Sequence, residues 1–379
     1  MSEAMDLGLS IPKIRVPYYS PTLAKDGTIR MGTQYPLEVE INDPRNEDIW
    51  EIMELIDGKR SVLQIIEELQ GKIENPRELV LGLIESLTKR GIIYYANSKA
   101  DIEGLDPVEV ERYARNSYYF SWILPTDKEL NYEPQLKLKN ARVTIVGMGG
   151  IGSSVAVSLA ATGVGHIHLV DFDIVEISNL NRQILYSGDD IGKSKVKRAS
   201  EKLSRINSLI DVTYEERKVN GVNDFAELMK NADVLVLGAD KPVGVTSWCN
   251  EAALEVGTPW ITGGYFGPKY LCEGYIPHQT GCTECYKIRY MNEVNASIKY
   301  PYGDYDYNAS IAPTSIISAQ LIALDVIHYI VGFKTQFFGK RYIGNALSID
   351  LSVFQDIDRV PSCPKCGESV TYAVNKKRD

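Results

Sequence analysis

Apolar residues in the first hundred positions change their period twice. Short apolar runs at 14–16, 28–31 and 37–41 predict strands, and an Asp26-Gly27 turn signal separates the first two. Helical spacing then takes over. Ile49, Ile52, Met53 and Ile56 recur on one face up to Gly58, and Val62, Ile65, Ile66 and Leu69 do so behind a Ser61-x-x-Gln64 capping box up to Gly71. A third helix is predicted to start at Asn75, with Pro76 in the first helical position and Glu78 placed to complete a cap. Its inner face is Leu79, Leu83, Ile84 and Leu87, and Gly91 ends it before a strand at 92–95. Strands followed by three short helices predict a small winged-helix-like α+β domain over residues 1–96. The polar stretch 97–111, punctuated by Gly104 and Pro107, reads as a linker.

From residue 112 onward the pattern is that of an α/β domain. A buried-strand run at 142–146 leads directly into Gly147-Met-Gly149-Gly150-Ile-Gly152, and 153–161 reads as a helix. A second strand at 166–170 ends at Asp171. Small residues at a helix start let backbone amides approach phosphate, and an acid after the second strand can hold ribose hydroxyls. This order predicts a Rossmann-like nucleotide fold with a mostly parallel sheet, and leaves NAD and ATP both open. The following stretch supplies Asn179, Arg182 and Lys195. Hydride transfer needs no such cations, whereas attack on an α-phosphate does, because negative charge builds on the phosphoryl oxygens. Taken singly, each of these residues is more ordinarily a solvated surface charge. The apolar run at 316–333 is interrupted by Gln320, Asp325 and His328, so it predicts a buried or amphipathic helix and not a membrane span.

Composition narrows the function classes. A length of 379 residues allows two or three domains, and 44% hydrophobic with 24% charged residues is an ordinary globular balance. A net charge of −9 disfavours nucleic acid as a partner but permits a local cationic pocket. The start of the chain has neither a basic nor a long apolar region, so no signal peptide is read and a cytoplasmic setting is expected. Four of six cysteines form two Cys-x-x-Cys pairs, Cys282/Cys285 and Cys363/Cys366. Two such knuckles predict one closed tetrahedral zinc site, structural in role. Cys249 and Cys272 stand alone and read as small buried residues, with Cys272 the better candidate for a test. Tyrosines at 286, 290, 300, 302, 305 and 307 crowd one stretch. It reads either as an aromatic substrate lid or as packing at a dimer surface.

Two resemblances sharpen this picture. The phrase IWEIMELIDGKRSVLQIIEEL, with ESLTKRGII after it, resembles the peptide-recognition domains that include the pyrroloquinoline-quinone peptide chaperone. The resemblance implies capture of a precursor's leader peptide as an added strand on the sheet edge. The phrases RYARN, GMGGIG, LVDFD, NLNRQ, GKSKV and GAD, with the two cysteine pairs, resemble the adenylating domain of the ubiquitin-activating-enzyme superfamily over residues 112–367. That resemblance implies ATP and magnesium as cofactors. It puts Asp171 on the ribose, with Asp173 of the same phrase also at the nucleotide, Asn179, Arg182 and Lys195 on the phosphates, and Asp240 on magnesium. Arg115 would reach the triphosphate held by a partner subunit, so a homodimer is expected. Members that pass their substrate to a thioester or persulfide use a further cysteine downstream of the first pair. None occurs from 286 to 362.

A leader-capture domain of 1–96 joined to an adenylating domain of 112–379, without a transfer cysteine, is similar to enzymes that mature ribosomally made peptide antibiotics. Microcin C nucleotidyltransferases and pantocin-type cyclases are the two kinds it resembles. The expected activity is ATP-dependent adenylation of a residue in a precursor peptide, leading to nucleotidylation or an intrapeptide crosslink. The rivals are a sulfur-carrier-protein adenylyltransferase and a leader-binding partner without catalysis of its own.

Overall fold

The computed structural model describes residues 6–16, 18–32, 39–41, 45–294 and 309–370. The chain divides into two compact units, Met1–Leu136 and Lys137–Asp379. In the first, β1 (Pro12–Ile14), β2 (Pro21–Leu23), β3 (Ile29–Met31) and β4 (Val39–Ile41) are followed by α1 (Asn46–Leu55), α2 (Val62–Glu68) and α3 (Pro76–Lys89). Then come β5 (Ile93–Tyr95), α4 (Pro107–Arg112) and α5 (Ala114–Ile123). Strands β2, β3 and β4 form an antiparallel sheet with β4 at one edge, while β1 pairs with β5. Ile29, Met31, Ile52, Ile65, Ile84 and Ile92, all fully buried, knit the strands to the three helices.

The local signals work as physics requires, with two departures. Ser61 and Gln64 form both bonds of the capping box, and Gly58, Gly71 and Gly91 each adopt the positive φ that stops a helix. Asn75, however, makes no side-chain cap. It lies in the left-handed region (φ 50°, ψ 51°) rather than the extended one from which a side chain reaches the third amide. The second departure is α4, a helix at 107–112 inside the stretch read as linker. Pro107 occupies its first turn and the Glu109 carboxylate accepts from the Asp106 amide at 2.8 Å, the same start signals recognised elsewhere.

The second unit begins within α6 (Glu133–Asn140). It continues with β6 (Arg142–Val146), α7 (Gly150–Thr162), β7 (His166–Asp171), α8 (Lys195–Ile206), β8 (Asp211–Glu216), α9 (Val222–Met229), β9 (Val234–Leu237) and α10 (Val245–Val256). After these come β10 (Trp260–Phe266), β11 (Lys269–Tyr275), α11 (Thr283–Val294), α12 (Ala312–Val331), β12 (Lys340–Asn345) and β13 (Val353–Asp356). One eight-stranded sheet runs in the order β13-β12-β11-β10-β9-β6-β7-β8. Strands β10, β9, β6, β7 and β8 are mutually parallel, and β11 to β13 extend the sheet antiparallel. In the parallel part the chain starts in the middle with β6, goes outward through β7 and β8, then returns to the other side of β6 with β9. The reversal opens a crevice at the carboxyl ends of β6 and β9, where ligands of such sheets bind.

Helix α12 takes up residues 316–331 of the run at 316–333. It is long and apolar enough to cross a membrane by length and composition, yet most of it is buried inside the domain. Ser315, Ser318, Ile322 and Val326 are fully enclosed, and Ser318 Oγ donates to the Leu271 carbonyl of β11 at 2.6 Å. The tyrosine-rich stretch is not a loop at its start. Residues 283–294 continue as α11 directly from the first cysteine knuckle, and Tyr286 stacks on Tyr290. Tyr300, Tyr302, Tyr305 and Tyr307 lie outside the described residues.

Candidate functional site

Close packing dictates the glycines at the crevice. A Cβ on Gly147, whose φ is +91°, would stand 2.6 Å from the Ala239 amide nitrogen, and one on Gly152 would collide with the Gly147 carbonyl oxygen. The loop after β6 is thereby pressed against the end of β9. Gly149 is the residue before α7 and carries no cap, so the first amides of that helix present partial positive charge. Gly150 faces two hydroxyls: a Cβ there would be 2.5 Å from both Tyr265 Oη and Ser315 Oγ.

Asp171, at the end of β7, is almost buried. The Met148 amide donates to its Oδ2 at 2.6 Å and the Asp173 amide to its Oδ1 at 2.9 Å. This carboxylate therefore braces the glycine loop and the turn after β7. Lys195 opens α8, and its ammonium pairs with Asp173 Oδ2 at 3.1 Å. The lysine side chain is 7% exposed against 48% for the aspartate, so the cation is held from the protein side.

Asn179 and Arg182 sit on one short turn. Asn179 Oδ1 accepts from the Glu176 amide at 3.1 Å, which commits the oxygen to the turn. Arg182 donates from Nε to Tyr265 Oη at 3.0 Å, and from Nη1 to the Ser178 carbonyl at 3.0 Å and to Asn181 Oδ1 at 2.9 Å. Tyr265 Oη therefore touches Arg182 on one side and the first turn of α7 on the other. Asp240 lies exposed just past Gly238, whose own Cβ would be 2.7 Å from the Gly147 carbonyl oxygen. Among the described residues it makes no hydrogen bond. Arg115 is exposed on α5, in the other unit.

Two residues of this site, Tyr265 and Ser315, carry no motif, and a third, Gln183, closes the NLNRQ phrase without an assigned role. Tyr265 ends β10 in the phrase Trp260-Ile-Thr-Gly-Gly-Tyr-Phe266, where the only sequence signal is a glycine pair at a strand end. Gln183 lies beside Gly149, with its Oε1 buried and without a partner among the described residues; Ser315 Oγ, at Gly150, is likewise unpaired among them. An uncapped helix start beside the Arg182 guanidinium and the Ser315 hydroxyl, with the Lys195 ammonium held at the turn after β7, offers donors and positive charge that suit a polyphosphate nucleotide.

The four knuckle cysteines converge. Their sulfurs lie within 4.8 Å of one another, with Cys282–Cys285 at 3.9 Å, Cys282–Cys363 at 3.7 Å and Cys285–Cys366 at 3.3 Å. Zinc–sulfur bonds of about 2.3 Å place tetrahedral sulfurs about 3.8 Å apart, so the set fits a four-thiolate zinc ion. All four are buried. Cys249 and Cys272 are also buried. Burial pushes both thiols well up, helped at Cys272 by the charges of Asp325 and Glu273, so neither forms thiolate readily.

An open α/β sheet with a glycine loop at its switch point, two held cations and a four-cysteine knuckle pair defines a Rossmann-like adenylating domain. The chain belongs to the ThiF family, whose model matches residues 125–365. Among its relatives is the probable adenylyltransferase/sulfurtransferase MoeZ of Mycobacterium tuberculosis, 31% identical over 70% of this chain and 64% of that protein. This chain thus spans somewhat less than two thirds of the relative's length. A sulfur carrier protein adenylyltransferase of Thermus thermophilus is 29% identical over 69% of this chain and 93% of its own length. Among solved structures, Escherichia coli MccB with AMPCPP and MccA aligns over 94% of this chain and 99% of that one, with 27% identity and a TM-score of 0.73. In complex with N-formylated MccA the same protein is described as the microcin C7 biosynthetic enzyme.

Proposed function

We propose that the chain is an ATP-dependent adenylyltransferase acting on a residue of a ribosomally made precursor peptide. The observation that carries the nucleotide half is the junction at Gly150, where an uncapped α7, Arg182 and Tyr265 meet at the sheet's switch point. Magnesium would be held by Asp240, ribose by Asp171, and the phosphates by Asn179, Arg182 and Lys195 with the α7 amides. A carboxyl or carboxamide oxygen of the peptide attacks the α-phosphate and pyrophosphate leaves. The work is positioning and neutralising charge, for which no protein nucleophile is needed. Arg115 completes the site from a second copy of the chain, so the active form is a homodimer. Zinc, held by Cys282, Cys285, Cys363 and Cys366, ties the end of the chain to the first turn of α11.

The peptide half rests on the first unit. A groove of about 690 Å³ runs between the edge strand β4 and α3, lined by Glu40, Ile41, Ile49, Leu79, Leu83 and Leu87 among others. An extended leader would add a strand to β4 and set alternate side chains in the groove. The likeness to MccB bound to its peptide MccA along almost the whole chain favours this reading. The sulfur-carrier reading draws on relatives of similar identity, and the absence of a cysteine between 286 and 362 speaks against it.

The test is pyrophosphate release from ATP with the precursor peptide encoded beside the gene, followed by mass spectrometry of that peptide. A gain of a nucleotide's mass or a loss of water is expected. Arg182→Ala and Asp240→Ala should abolish release, a loss of at least about 100-fold, while leader binding persists. Release with a small protein ending in Gly-Gly instead would transfer the assignment to sulfur-carrier activation.

A further inference from the structure

Arg182 is the one cation of the nucleotide site whose guanidinium is held from two sides. Nε is spent on Tyr265 Oη at 3.0 Å, and Nη1 on the Ser178 carbonyl and Asn181 Oδ1. Nη2 makes no hydrogen bond among the described residues. A planar guanidinium with two of its three nitrogens fixed has only the two N–H groups of the third left to donate, both in a plane already set. Tyr265 comes from β10, 83 residues further along the chain, and its hydroxyl also faces Gly150 in the first turn of α7. Asn181 is bound in turn, its Nδ2 donating to the Ser310 carbonyl at 3.3 Å just before α12 begins.

We propose that Tyr265 and Asn181 are positioning residues that preset Arg182, so that its Nη2 is presented to the nucleotide's phosphates before ATP arrives. The inference rests on the adenylation reading and deepens it. A long side chain left free would lose rotamer entropy on binding phosphate, and one already pinned by neighbours loses less. Tyr265 contributes further because it is planted against the helix whose amides meet the same phosphates. One hydroxyl thus binds the arginine and lies against the helix start.

The test uses the full-length chain and two probes, α,β-methylene-ATP and adenosine, with affinities measured by calorimetry. Arg182→Ala should weaken α,β-methylene-ATP by at least about tenfold, and Tyr265→Phe, which removes one oxygen atom, by about three- to tenfold. Adenosine affinity should not change in either variant. The double variant should bind no more weakly than Arg182→Ala alone, because the tyrosine acts through the arginine. Asn181→Ala should behave as Tyr265→Phe does. Multiplying losses in the double variant, or unchanged triphosphate binding in Tyr265→Phe, overturns the proposal while leaving adenylation intact. A wild-type chain that binds neither probe would overturn the adenylation reading itself.

Discussion

At the scale of single residues, the crevice after β6 depends on atoms that are absent. Gly152 sits in the first turn of α7, and the space a Cβ needs is occupied by the Gly147 carbonyl oxygen. That oxygen belongs to backbone and cannot rotate away as a side-chain tip can. Gly152→Ala must therefore push the phosphate loop off the helix start or shift α7 from the sheet. The expected result is loss of α,β-methylene-ATP binding together with about 2 kcal/mol of stability, read by calorimetry and by urea denaturation. Near-normal nucleotide affinity in this variant would show that the loop does not cradle phosphate. The glycines were legible in the sequence because they are contiguous and follow a strand. Tyr265 was not, since its contribution comes from a strand more than a hundred residues beyond the motif and is created only when β10 joins the sheet.

Between the elements, Asp190 joins the turn that follows Arg182 to α8, which begins with Lys195. It is fully buried, accepts from the Ser187 amide at 2.8 Å and from Arg198 Nε at 2.6 Å, and pairs with Lys202. Burial alone would raise its pKa, but Lys202, the Ser187 amide and Arg198 outweigh burial and hold the carboxyl well below the usual range. A carboxylate depressed in the folded state lends its full stability above the unfolded pKa of about 3.9, begins to lose it below that value, and has lost it once pH falls through the lower folded pKa. Asp190→Ala should thus cost about 2 kcal/mol at pH 7 and clearly less near pH 2, as measured by denaturation at both. Equal costs at the two pH values would show that the carboxylate's charge contributes nothing. The zinc knuckles are the other joint: chelation by a strong ligand should release one zinc per chain and expose 363–370 to protease, whereas resistance would mean the cysteines hold no metal. Elements with local start and stop signals, such as α2 with its Ser61 box, were legible in the pattern. The start of α11 was hidden because its first turn is shared with the metal knuckle.

For the molecule as a whole, the informative question is where the first unit ends. The apolar pattern places its end at 96 and a linker after it, whereas the compact unit runs to Leu136 and the family match begins at Pro125. Arg15 supplies the physical reason. Its guanidinium is buried, and it donates to the Gly91 carbonyl at 3.0 Å and to the carbonyls of Thr126 at 3.2 Å, Lys128 at 2.9 Å and Glu129 at 2.6 Å. Tyr18 stacks on Trp122 at 4.6 Å, and the Tyr95 amide donates to the Asp127 carbonyl at 2.8 Å. No periodicity announces such contacts, because an arginine gathering loop carbonyls needs only that the loop return. A fragment cut after 96 loses three of the four acceptors and the aromatic partner, while one cut after 136 keeps them all. Loss of about 2 kcal/mol lowers the melting midpoint by roughly 10 °C in a domain of this size. Fragment 1–136 should therefore melt cooperatively and bind the leader peptide, with fragment 1–96 melting at least that much lower, and Arg15→Met in 1–136 should reproduce most of the difference. Identical midpoints for the two fragments would return the end of the first unit to 96 and residues 97–111 to the status of a linker, and leader binding by 1–96 alone would confine recognition to β4, α1 and α3.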